Sequence, residues 1–295
     1  MRKFGMVWSA GAAACALLLA ACVDAPRTGP QAGVAAKTSG RPSVVSLNPC
    51  TDAILAEVAV PEQILALSHY SHDPRSSSMP AKEAAKFAVT GGTAEEVLAL
   101  EPNVVIAGSF IAPSTRLAFE RLGIRVSTFG SPKSLEESQG QVREIARLVG
   151  DPTLGAALRR AMEQSQSPQS GRQAGMRPGS KRNGGGPSAL LWQPGQIVAG
   201  RDQLVSQMMR ESGFASHAEA MGLDQADHAS LEMIVANPPD ILFLAGESQG
   251  QLHPSLARVS DMSVSRLDPQ HFYCAGPSII RLRSALAAVR ARPMK

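Results

Sequence analysis

The sequence predicts an α/β fold: two similar α/β lobes with parallel sheets, joined by a long helix, with a ligand cleft between them. Three observations predict it. A helix-to-strand phrase occurs twice, from Glu95 to Gly108 and from Glu232 to Gly246. Each copy runs glutamate, six residues, proline, Asn or Asp, a short apolar run, then Ala-Gly. The apolar residues before the proline have helical spacing, and the run after it reads as a buried strand. Pro102 and Pro239 stop the helix and force the preceding residue to be extended. The second observation is that strands alternate with helices in both halves, the pattern of parallel sheets. The third is an Ala- and Arg-rich helical stretch between the halves, with no turn signal inside it. A repeated half-unit implies paired lobes, and the gap between such lobes is a common ligand site.

In chain order, residues 1–21 read as a secretion signal. Arg2 and Lys3 open it, and the apolar stretch from Gly5 to Ala20 is too short to span a membrane. Leu19-Ala20-Ala21-Cys22 fits a bacterial lipobox, which makes Cys22 the lipid-bearing first residue of the mature chain. Residues 22–42, rich in Pro, Gly, Ala and Thr, are expected to be a flexible tether. The N-terminal lobe, 43–133, opens with a strand at Val44–Leu47 and a turn from Asn48 to Thr51. Thr51 is placed to cap a helix from Asp52 to Val58. Pro61 stops that helix before a strand at Ile64–Leu67, and a polar loop follows with His69, Tyr70 and His72. Thr93 caps the first repeated helix, and Val104–Ile106 is its strand. A helix from Ser114 to Leu122 ends at Gly123, and Arg125–Phe129 is the last strand of the lobe.

A helical connection occupies 134–164. Ser134-Leu135-Glu136-Glu137 is a capping-box opening for a helix to Val149. Asp151-Pro152 starts a second helix, through Gln164, which is the candidate for the joining element. Residues 165–188 are low-complexity and are expected to be a disordered insertion. The C-terminal lobe, 189–295, contains a strand at Ala189–Trp192 and a helix at Gln203–Glu211. The second repeated helix begins near Leu231. Strands at Ile241–Leu244 and Val264–Leu267 and a helix at Pro277–Val289 complete it.

Composition excludes several functions. The net charge of +4 is carried by Arg2 and Lys3 in the signal and by Arg172, Arg177, Lys181 and Arg182 in the insertion. Without them the lobes are slightly acidic, so no nucleic-acid footprint remains. The chain has no phosphate loop, HExxH or Rossmann glycine fingerprint, and Gly184-Gly185-Gly186 lies in the insertion. It is therefore not read as an enzyme. Two of the four cysteines, Cys50 and Cys274, fall within the lobes. In an oxidising compartment they are candidates for a disulfide, which their Cα separation decides.

Ligands of parallel α/β sheets sit beyond the carboxyl ends of the strands. That rule nominates Asn48, Pro49, Cys50, Thr51, His69, Tyr70, Ser109 and Phe110 from the first lobe. From the second it nominates Trp192, Gln193, Arg201, Phe272, Tyr273 and Cys274. Only 4% of the chain is aromatic, yet both tyrosines fall on these loops, which suits a large, flat or greasy guest. Arg201 is the one evident cation for an anionic guest. An alternative use of the same loops is a Zn or Mn site from Cys50, His69, His72, His271 and Cys274.

Four stretches together resemble the iron-siderophore/vitamin B12 class of periplasmic binding proteins. They are Val45-Ser46-Leu47-Asn48-Pro49-Cys50-Thr51-Asp52, Ser68-His69-Tyr70-Ser71-His72-Asp73-Pro74, the two repeats, and Phe272-Tyr273-Cys274-Ala275-Gly276-Pro277. The resemblance covers about Ser43 to Arg290 apart from the insertion. It implies two lobes bridged by a long helix and a non-catalytic monomer with no resident metal or cofactor. Such a monomer captures cobalamin or a ferric siderophore for an ABC permease dimer. Haem is a further guest of this kind, with Tyr70 or a histidine as axial ligand. The resemblance also implies that Glu95 and Glu232 dock into arginine pockets on the two permease subunits. Matching contacts from both lobes suit a two-fold partner, and Arg–carboxylate pairs add register to attraction. The expected place is the periplasmic face of the envelope. Val23 after Cys22 leaves both the inner and the outer membrane open for the anchor.

Overall fold

The computed structural model describes residues 40–165 and 186–292. The signal, the lipid site at Cys22, nearly all of the tether and residues 166–185 of the insertion lie outside the described residues. The first lobe contains β1 (Val44–Ser46), α1 (Pro49–Val58), β2 (Ile64–Ser68), α2 (Ala81–Ala84), β3 (Val89–Thr90), α3 (Ala94–Ala99), β4 (Val104–Gly108), α4 (Pro113–Arg121) and β5 (Arg125–Phe129). Its five strands run in the order β3-β2-β1-β4-β5, all parallel.

Helix α1 starts earlier than Thr51 would have it. Asn48 is the cap: its Oδ1 accepts the Cys50 N–H at 2.8 Å, and Pro49 takes the first helical position, where its missing N–H costs nothing. The Thr51 hydroxyl instead donates to the Asn48 carbonyl at 2.9 Å.

Two helices form the connection, α5 (Leu135–Leu148) and α6 (Pro152–Gln164). Ser134 and Asp151 cap them, accepting from Glu137 N–H and Leu154 N–H. Gly150, at φ +79°, makes the turn between them. The pair packs closely because Gly155 has no side chain: a Cβ there would stand 2.4 Å from that of Ala146. The two helices thus form a hairpin, and the candidate joining element, α6, runs unbroken from Pro152 to Gln164 as expected.

The second lobe contains β6 (Ser188–Gln193), β7 (Ile197–Val198), α7 (Leu204–Glu211), β8 (Ala215–Ser216), α8 (His217–Ala220), β9 (Asp227–His228), α9 (Leu231–Ala236), β10 (Ile241–Leu244), β11 (Ser263–Arg266) and α10 (Ser278–Arg290). Strand order is β11-β10-β6-β7-β9, with β8 also on β6. The β11-β10-β6 part is parallel, but β7 runs antiparallel to β6 and to β9. This sheet is therefore mixed. The turn at Pro194-Gly195-Gln196, with Gly195 at φ +74° and Gln196 at φ +62°, is far too short for a parallel crossover.

The repeated phrase builds the same joint in each lobe. Ser43 N–H donates to Asn103 Oδ1 at 2.8 Å, and Asn103 N–H donates back to Ser43 Oγ at 3.1 Å. Ser188 N–H donates to Asp240 Oδ2 at 2.7 Å, and Asp240 N–H returns to Ser188 Oγ at 2.8 Å. The Asn or Asp after each proline thereby fixes the pairing of β4 on β1 and of β10 on β6. Thr93 and Ser230 cap the two repeated helices, α3 and α9. One apolar cluster extends from Leu55 and Ile106 through Val142, Ile145 and Met162 to Leu191, Phe243 and Leu282. The lobes share a core, and the cleft lies above it.

Candidate functional site

A cavity of about 480 Å³ opens between the lobes, within the usual size of small-molecule sites. Strand ends of the first lobe supply Asn48, Pro49 and Cys50 after β1, Ser109 and Phe110 after β4, and Phe129 to Pro132 after β5. The second lobe supplies Gln203, Leu204 and Val205 at the start of α7, and His271 to Ala275 before α10. Gly108 makes room for Asn48, whose Nδ2 would stand 2.9 Å from a Cβ at that position. Gln141, on α5, donates to the Gly130 carbonyl at 2.7 Å and holds the β5 loop.

Eight of the fourteen nominated ligand residues meet here: Asn48, Pro49, Cys50, Ser109, Phe110, Phe272, Tyr273 and Cys274. Cys50 and Cys274 are joined in a disulfide, their Cα atoms 5.1 Å apart. The other six are elsewhere. Thr51 is buried, its hydroxyl 2.8 Å from that of Ser46. His69 and Tyr70 stand side by side on a 3₁₀ turn outside the cavity lining, ring centroids 4.0 Å apart. Trp192 is only 1% exposed, and its indole N–H donates to the Ala229 carbonyl at 3.0 Å. It is a core residue, and Gln193 beside it is not on the cavity wall either. Arg201 is held on the surface by Asp202 at 3.3 Å and Asp224 at 3.0 Å, which removes it as the cleft cation.

The proposed metal cluster comes apart. The disulfide uses both thiols. His69 Nδ1 lies 3.3 Å from the Thr90 carbonyl, and His72 Nε2 lies 2.9 Å from that of Ala84. Among the described residues no three His, Cys, Asp or Glu side chains are grouped to hold a metal ion.

Sequence reasoning missed Gln203, Leu204, Val205 and the loop Phe129–Pro132. For the loop the signal was present: it follows the carboxyl end of a strand that had been identified. Gln203 begins a helix rather than following a strand, so the rule passes over it.

Among the described residues the cavity wall is uncharged: none of those lining it is Asp, Glu, Lys or Arg, and the histidine there, His271, is held below the usual imidazole range by desolvation. Two aromatic faces stand open at the rim, Phe110 at 94% exposure from the first lobe and Tyr273 at 52% from the second. Beneath the wall, α1 carries Asp52, which is fully buried. Its Oδ2 accepts the Ser68 N–H at 2.9 Å and the Ser71 hydroxyl at 2.6 Å, while Oδ1 has no partner. Burial pushes this carboxyl up to about 8. Asp52 ties the turn that bears His69 and Tyr70 to α1.

The repeated acids occupy matching places. Glu95 is the second residue of α3 and Glu232 the second of α9, both exposed. The neighbouring Glu96, also exposed, is engaged locally, accepting from Thr90 Oγ1 at 2.7 Å and Gly91 N–H at 2.6 Å.

Residues 44–258 match the family model described as periplasmic binding protein. The chain belongs to that family. Its members are solute-binding proteins rather than enzymes, and the family places this binding protein in the periplasm. Three solved structures share the fold. The heme-binding protein RhuT from Roseiflexus sp. RS-1, in apo form, is 22% identical, with 85% of this chain and 100% of that chain covered at a TM-score of 0.64. The heme-binding protein HutB of Vibrio cholerae is 16% identical, with 85% and 99% covered and a TM-score of 0.64. The vitamin B12 binding protein BtuF of Vibrio cholerae is 16% identical, with 84% and 96% covered and a TM-score of 0.57. No curated protein matches the sequence.

Proposed function

We propose that this binding protein captures a bulky guest of no net charge, a corrinoid such as cobalamin first and an uncharged ferric siderophore second, and hands it to an ABC permease. The observation that carries this reading is the wall without ionised side chains between two exposed aromatic faces. An anionic ferric chelate or a free metal ion needs counter-charge or ligating groups, and a buried charge without a partner is costly. A neutral macrocycle needs contact area and a few hydrogen bonds. Phe110 and Tyr273 supply the area, and Asn48, Ser109, Ser131, Gln141 and Gln203 supply the polar groups.

Haem is the alternative to both, favoured by the exposed Tyr273 phenol and His271 at the same wall, since both are iron-ligating types. Two measurements separate the guests. Equilibrium dialysis against cyanocobalamin is expected to show saturable binding, with a ferric catecholate chelate retained far less. Titration with haemin that gives a sharpened Soret band, together with no cyanocobalamin binding, sinks the corrinoid reading.

Delivery proceeds through Glu95 and Glu232, presented at equivalent positions of the two repeated helices. The lipid on Cys22 keeps the protein at the membrane surface, and Cys22→Ser is expected to move it from the membrane fraction to the soluble periplasmic fraction. It works as a monomer, one lobe to each permease subunit.

A further inference from the structure

We infer that the Cys50–Cys274 disulfide is a positioning element of the cleft: it fixes the aromatic wall of the second lobe to α1 of the first. The inference rests on the reading that this cleft is the ligand site. Cys50 belongs to α1 and Cys274 to the segment entering α10, 224 residues later, and both line the cavity. The bond therefore joins the lobes at the wall that meets the guest.

The neighbouring backbone is held along the same seam. Cys274 N–H donates to Ser78 Oγ at 2.8 Å, and Gly276 N–H donates to Ser138 Oγ at 2.9 Å, both buried. Gln270 reaches the Pro74 carbonyl at 3.2 Å, and Arg281 reaches that of Ser78. Gly276 has φ +80° and packs so closely on α1 that a Cβ there would stand 2.9 Å from Ile54 Cγ1. Phe272 and Tyr273 lie between Gln270 and Cys274, so the residues on both sides of them are anchored to the first lobe. By sequence this wall belongs to the second lobe; by bonding it belongs to the first. The backbone of the wall is thus pre-organised, and the cost of ordering the loop that bears the two aromatic residues is met before the guest arrives.

The test uses the folded oxidised protein, so that folding is not at issue. Dithiothreitol transfers two electrons and two protons to the disulfide, which gives two thiols and the cyclic disulfide of the reagent. Amide hydrogen exchange is read at Cys274 and Gly276, and cyanocobalamin affinity is read on the same samples. The Cys50→Ser/Cys274→Ser double variant repeats both measurements without reductant. The expected result is that exchange at both amides rises at least about tenfold while far-UV circular dichroism is unchanged, and that affinity falls roughly tenfold. Unchanged protection after reduction overturns the inference, because the hydrogen bonds alone would then hold the seam. Lost protection with unchanged affinity also overturns it. If the oxidised protein binds no cyanocobalamin, the corrinoid reading fails on its own, and the exchange result still decides the tie.

Discussion

At the scale of single residues, the most consequential side chain is Asp52. It is a carboxylic acid kept in the fold with one oxygen unpartnered, and burial raises its pKa from 3.8 to about 8. The unfolded chain releases this proton near pH 4 and the native chain keeps it to about 8. The group's contribution is therefore most favourable below pH 4, is lost progressively as pH rises to about 8, and then levels off. Each unit of such a shift corresponds to about 1.4 kcal/mol, so the slope amounts to several kcal/mol. Asp52→Asn keeps the acceptor for Ser68 and Ser71 and removes the titration. It is expected to flatten the urea-midpoint profile between pH 5 and 8 and to exceed the wild type at pH 8. A parallel decline in both proteins assigns the slope elsewhere. His217, with its ring 2.9 Å from the Asn237 carbonyl, works in the opposite sense. Desolvation lowers its pKa, so its share is present above pH 6.5 and fades as pH falls. Trp192 belongs to the same scale. Because it fills the core, Trp192→Ala is expected to cost about 3–5 kcal/mol of stability, measured by denaturant unfolding, whereas a rim residue such as Phe110 costs almost none.

At the scale of elements, the repeat matters most. Its helix presents an acid at the second position in both lobes, and its Asn or Asp locks two strand starts to a serine. These are separable roles. Charge reversal of both Glu95 and Glu232 is expected to abolish uptake in a reconstituted permease while changing ligand affinity less than about twofold, since exposed charges outside the cleft are screened from it. Equal loss of ligand affinity contradicts docking. The repeat was legible in the sequence because proline, helical spacing and a buried apolar run are local signals. The hairpin at Pro194-Gly195-Gln196 was not recognised because β7 and β9 are two residues each, too short to show any periodicity. The Thr51 cap was misplaced by three residues because Asn48-Pro49 offers a better one: a side-chain acceptor followed by a proline that needs no partner.

At the scale of the whole molecule, the shared core and the tied seam set how the cleft behaves. A continuous apolar cluster beneath both lobes resists wide separation, because opening it would expose buried surface at roughly 25 cal/mol per Å². The binding motion is therefore expected to be small. An uncharged wall adds a second expectation. Affinity for a neutral guest should change little between low and high salt, whereas a site built on counter-charge would lose affinity as the Debye length shrinks from about 30 Å to about 3 Å. Isothermal titration at the two salt levels decides it, and a steep salt dependence would rule out the neutral guest.

By itself the sequence determined the α/β class, the two lobes, the repeated helix-to-strand unit and most of the strand ends that meet at the cleft. Each of these follows from spacing, proline and capping within a short stretch of chain. Only the tertiary structure decided that Cys50 and Cys274 lie 5.1 Å apart and that Trp192 turns to the Ala229 carbonyl. The same holds for the pairing of Arg201 with Asp224, which takes it from the cleft. All three depend on partners distant in sequence, and nothing in local propensity says which of two faces a residue at a strand end will take when the covering segment arrives from elsewhere.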